Sequence, residues 1–136
     1  MSVKLRIAEY FTPVPEKERA SQLAKLDSFR ELKQGWDSYD AEPPSEAALE
    51  NARGILRHLW TRGDIIKVSL APSVEGGVGI IFSGPGSKYA DIECFNDGEI
   101  LAITSEDGAE PSVWPVHAEA ESLRLAIDRI SSFLNG

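Results

Sequence analysis

Cysteine and histidine are nearly missing from this chain, and the shortage removes much metal and nucleophile chemistry. Cys94, His58 and His117 are the only such residues among 136 and lie far apart in sequence, so a structural zinc site, which takes four ligands, is not expected. A lone cysteine cannot form an internal disulfide; between Ile92 and Phe95 it reads as a small apolar side chain of a strand. His58 falls in a helical pattern and His117 just before another, and both read as surface or partly packed groups. No apolar run approaches the roughly 18 residues of a membrane span. The opening Met-Ser-Val-Lys-Leu-Arg-Ile interleaves charge where a signal peptide needs unbroken apolar sequence. The expectation is a cytosolic protein without membrane contact.

Phosphate and nucleophile motifs are missing too. There is no Gly-x-Ser-x-Gly elbow. Gly77-Val78-Gly79 and Gly84-Pro85-Gly86 neither complete a dinucleotide fingerprint nor open a helix, so they read as a flexible approach to a strand and as a hairpin turn. No cofactor is expected.

Basic residues are scarce beyond the first quarter of the chain. Residues 1–34 carry seven Lys or Arg against five Asp or Glu, while residues 35–136 carry seven against seventeen, within a net charge of −8. No Lys or Arg lies between Lys88 and Arg124, where nine acids fall. Such a surface repels phosphate backbones, so direct nucleic-acid binding is disfavoured. It suits solubility or a basic protein partner.

The chain reads as one α+β domain over 1–136. Val3, Leu5 and Ile7 alternate as in a short strand. Good helix formers run from Glu16 to about Gln34, with Gly35 as the stop. Ser45 can cap a second helix, with Leu49, Ala52, Leu56 and Leu59 at three-and-four spacing toward Gly63. The period then becomes two, predicting strands at about 65–71, 77–83, 88–95 and 99–105, with Val113-Trp114-Pro115-Val116 as an edge strand. Asn96-Asp97-Gly98 predicts a three-residue hairpin with a left-handed glycine. A last helix begins near Ala118. The expected architecture is an antiparallel meander of four to six strands, with two N-terminal helices and one C-terminal helix on one face. An exposed sheet edge leaves a homodimer open.

Two candidate sites emerge. In the loop Gly35–Ser45, Trp36 and Tyr39 are expected to pack between the first helix and the sheet while Asp37 bonds loop amides. The other reading makes Trp36, Asp37, Tyr39 and Asp40 an exposed aromatic and acidic patch that anchors a partner. On the third strand, alternation turns Ala90, Ile92 and Cys94 toward the helices and Tyr89, Asp91, Glu93 and Phe95 away. That outward face is expected to be wet, with Asp91 and Glu93 solvated or ion-paired. Joined by Asp37 or Asp40, they could instead bind a divalent cation or share a proton.

Gly35-Trp36-Asp37-x-Tyr39-x-Ala41-x-x-Pro44, followed by a helix, Pro72, Gly76-Gly77 and the acidic alternation Asp91-Ile92-Glu93, resembles a pattern of small uncharacterised bacterial and phage proteins. The resemblance spans about residues 35–100 and implies a bacterial or phage origin and a shared fold. It transfers no activity and no site. The preferred expectation is a non-enzymatic protein-interaction module, such as an accessory or antitoxin-like subunit with a basic protein partner. The alternatives are a carboxylate- or metal-dependent hydrolase using Asp91, Glu93 and Asp37, and an acidic nucleic-acid mimic.

Overall fold

The computed structural model describes residues 14–62, 64 and 66–136. The strand expected around Val3–Ile7 and the glycine at 63 lie outside these residues. Five strands, β1 (Val68–Ser73), β2 (Gly77–Phe82), β3 (Tyr89–Phe95), β4 (Ile100–Ser105) and β5 (Ser112–Val116), form one antiparallel sheet in sequence order. Helices α1 (Glu16–Ser28) and α2 (Glu46–Trp60) precede it and α3 (Ala120–Asn135) follows. This is the α+β meander that the change of hydrophobic period predicts.

One face of the sheet makes the core. Val78, Ile80 and Phe82 of β2 and Ala90, Ile92 and Cys94 of β3 are buried against Leu49, Ala52 and Leu56 of α2 and Ile127 and Ile130 of α3. Both helices carry apolar side chains three and four apart, so each buries a single stripe. Ser45 caps α2 by accepting from the Ala48 N–H at 3.2 Å, a contact worth about 1 kcal/mol. The helical side is also laced with ion pairs: Arg30 and Arg53 hold Asp27, Glu46 and Glu50, and Arg62 and Arg124 hold Asp64, Asp128 and Glu121.

The first helix is shorter than its helix-forming residues suggest. After Ser28 the chain tightens into a 3₁₀ turn over Phe29–Glu31, and Leu32 is extended. Phe29 is buried in the core there, so packing rather than Gly35 ends the helix. The first strand begins and ends later than expected, because pairing of Ser73 with Gly77 carries it to the Val74–Gly76 turn. Pro72 is tolerated since β1 is an edge strand, as is β5 with Pro115. At the β3–β4 turn the Phe95 N–H donates to the Glu99 carbonyl at 2.8 Å and Gly98 has φ 94°, the hairpin that Asn96-Asp97-Gly98 encodes.

Candidate functional site

The sheet face turned away from the helices is the unexpected part of the molecule. Register places Asp91 between Ile81 of β2 and Ile103 of β4, with Val113 of β5 next in the row. The adjacent row runs Ala71, Gly79, Glu93, Leu101 and Pro115. The centre of the face is therefore apolar around two carboxylates, with the exposed Ser69 of β1 and Val113 of β5 at the two ends of the Asp91 row, and Asp91 itself is not wet. Asp91 is only 5% exposed, because β-branched neighbours stand on both sides of its short side chain. Tyr89, 40% exposed, donates its hydroxyl to Asp91 Oδ2.

Among the described residues no cation pairs with either carboxylate. Asp91 Oδ1 and Glu93 Oε2 are buried and have no hydrogen-bond partner among the described residues. The five strands contain no Lys or Arg, and between Val68 and Val116 the only basic residue is Lys88. Its Nζ donates to the carbonyls of Phe133 and Gly136 at 2.9 and 3.0 Å, at the end of α3. Burial raises the pKa of Asp91, an effect the Tyr89 bond partly offsets. Glu93 is pushed up to about 7 by burial first, then by the charges of Asp91 and Glu75. The Tyr89 phenol is raised as well, by burial and by its bond to Asp91. Near neutral pH the pair thus shares its face with a proton that an ordinary glutamate would have released.

Gly79 makes room for this arrangement. It lies within β2 opposite Glu93, and a Cβ built on it would fall 2.7 Å from Glu93 Oε2. The glycine is there for space: the carboxylate lies where a side chain would otherwise stand. Reading Gly77-Val78-Gly79 as a flexible approach to a strand missed this, since all three residues belong to β2. Toward the turns the face runs into a hollow of about 390 Å³ lined by Glu75, Phe95, Asp97, Glu99 and Leu101, again without a basic residue.

The loop residues form a separate group. Asp37 Oδ1 accepts from the Tyr39 and Ala41 N–H groups at 2.9 and 3.2 Å, and the Trp36 indole donates to the Glu42 carbonyl at 3.0 Å. Trp36 is half-buried, whereas Tyr39 is 83% exposed, so it does not pack between helix and sheet as expected. The turn that satisfies Asp37 puts Ser38 at φ 71° and directs Tyr39 outward. Asp40 is exposed, and its carbonyl accepts from Gln34. Among the described residues no hydrogen bond or ion pair joins Trp36, Asp37, Tyr39 or Asp40 to Tyr89, Asp91 or Glu93. Asn96 is a structural residue that the sequence reading overlooked. Its amide accepts from the Ser45 N–H at 2.7 Å and donates to the Pro43 carbonyl at 3.1 Å, fastening the loop to the β3–β4 turn.

No protein-family model, curated protein or solved structure matches the chain. Functional assignment therefore rests on the site itself. Among the described residues no group of three or more His, Cys, Asp or Glu is arranged to hold a metal ion, and none of the helices is long and apolar enough to cross a membrane. Asp37, which the hydrolase reading needs beside Asp91 and Glu93, is engaged in its own loop.

Proposed function

We propose that this protein is a non-enzymatic interaction module that docks a basic protein partner on the outer face of its sheet, as an accessory or antitoxin-like subunit does. The carrying observation is that two central carboxylates each keep a buried oxygen without a donor among the described residues, while the strands around them supply no cation. A buried charge is costly unless it is paired, and an apolar rim around it strengthens any pair formed there. Ile81, Leu101 and Ile103 are partly buried rather than covered, and Val113 is exposed, so this face retains apolar surface for a partner. The edges suit that role less well, since proline in β1 and in β5 removes a backbone donor from each.

The test is affinity capture at physiological salt from cells of the source organism, using wild type, Ile103→Lys on the face, and Arg57→Glu on α2 as a control. Retention of one basic protein by wild type and the control, with loss from Ile103→Lys, is the expected result. Equal recovery with all three baits, or no protein retained, overturns the reading.

A further inference from the structure

We infer that Asp91 and Glu93 together seat one arginine side chain of the partner, entered from the open face beside Gly79. This rests on the docking role proposed above and adds the group that is recognised.

Asp91, more than nine-tenths buried, points to the outer face, and its Oδ1 and the buried Glu93 Oε2 two residues along the strand have no partner among the described residues. The site has two acceptors and apolar walls: Ile81 and Ile103 flank Asp91, and Leu101 flanks Glu93. A hard divalent cation takes six or more oxygens, and no third carboxylate converges among the described residues. A guanidinium takes two acceptors through its planar fork, is weakly hydrated, and lays an aliphatic stem on apolar side chains. Lysine offers a compact, strongly hydrated ammonium that is harder to bring onto such a surface.

The tyrosine hydroxyl that donates to Asp91 Oδ2 already fills one acceptor position of the site in the free protein. Tyr89 is 40% exposed at the margin of the face, so its ring can swing aside when a stronger, charged donor arrives. The charged and titratable groups around Glu93 are Asp91 and Tyr89 on its own strand and Glu75 in the β1–β2 turn. The facing positions on β2 and β4, Gly79 and Leu101, are uncharged. Among the described residues every charge near Glu93 is thus negative, and an arriving guanidinium displaces the Glu93 proton to solvent. Docking is accordingly tighter at pH 8 than at pH 6.

The experiment follows the Glu93 side-chain carboxyl by NMR while N-acetylarginine amide is added to the full chain, with N-acetylcitrulline amide as the neutral isostere. The arginine probe is expected to shift Asp91, Glu93 and Gly79 resonances and to lower the Glu93 midpoint by about one pH unit. The citrulline probe is expected to do neither, and Asp91→Asn/Glu93→Gln is expected to abolish the response. Equal shifts from both probes, or none at these residues, overturn the seat. So does a changed Glu93 midpoint in Lys4→Gln/Arg6→Gln, because the counter-charge then belongs to this chain. The two proposals fail separately. If Asp91→Asn/Glu93→Gln still captures the basic partner while Ile103→Lys does not, docking stands and the arginine seat falls.

Discussion

Gly79 and Glu93 are cross-strand partners in which the missing side chain of one is the resting place of the other's carboxylate. A methyl group on Gly79 would meet the far end of a flexible side chain, so the glutamate can yield by rotating away from the sheet. Gly79→Ala is therefore expected to fold normally, with stability unchanged or raised by up to about 1 kcal/mol, since glycine weakens a strand interior. Its effect should fall on Glu93, whose midpoint should drop from about 7 toward the ordinary 4.5 as the carboxylate moves into water. NMR titration checks this; a midpoint that stays near 7 removes Gly79 from the account.

The raised pKa of Glu93 sets a direction for stability against pH. Between about 4.5 and 7 the folded chain holds a proton that the unfolded chain has released, so stability falls as pH rises through that window and levels off above it. Asp91, also raised, acts in the same direction. Glu46, Asp64 and Glu121 are lowered by Arg30, Arg62 and Arg124, so their opposite contribution is lost below the ordinary carboxylate range. Allowing for partial exposure, the fall from pH 5 to pH 8 should be about 1–2 kcal/mol, and Glu93→Gln should remove most of it. Urea denaturation of both proteins at the two pH values provides the check. Equal slopes in wild type and variant would show that Glu93 is not the source.

Asn96 joins the loop to the sheet, so its removal should be felt far from any ligand surface. Asn96→Ala leaves the Ser45 N–H and the Pro43 carbonyl without their partner and is expected to cost about 2 kcal/mol. Asn96→Asp keeps the acceptor but loses the donor, and should fall between the two. Combined with Ser45→Ala, the costs should not add, because the residues share one network. Thermal or chemical denaturation of Asn96→Ala, Asn96→Asp, Ser45→Ala and the Asn96→Ala/Ser45→Ala double variant decides it.

Within the Gly35–Ser45 loop, adjacent conspicuous residues should behave differently. Asp37→Ala removes the acceptor for two backbone donors and should destabilise by about 1–2 kcal/mol. Tyr39→Ala removes a ring that touches little and should stay within about 0.5 kcal/mol of wild type. A large loss from Tyr39→Ala would mean that the ring packs after all.

Much of the fold was legible because its signals are local. The three-and-four spacing of Leu49, Ala52, Leu56 and Leu59 follows from helix pitch, and the alternation Ala90, Ile92, Cys94 follows from strand pleat. Ser45 caps and Asn96-Asp97-Gly98 turns through atoms a few residues apart. The end of α1 was not local. It depends on where Phe29 finds its pocket in a core assembled from α2 and the sheet.

By itself the sequence determined the order of the described helices and strands, with four to six strands expected, and which β3 residues share a face, since those depend on backbone period alone. It also determined that acids outnumber the single basic residue, Lys88, between Val68 and Val116. Only the tertiary structure decided the character of the outer face. Strand pairing brought Ile81 and Ile103 to either side of Asp91, and placed Gly79 beneath Glu93, from segments ten or more residues away along the chain. The physical reason is that desolvation belongs to a neighbourhood in space: of two acids read as solvated, Asp91 became buried and Glu93 half-buried, each with an oxygen that has no partner among the described residues.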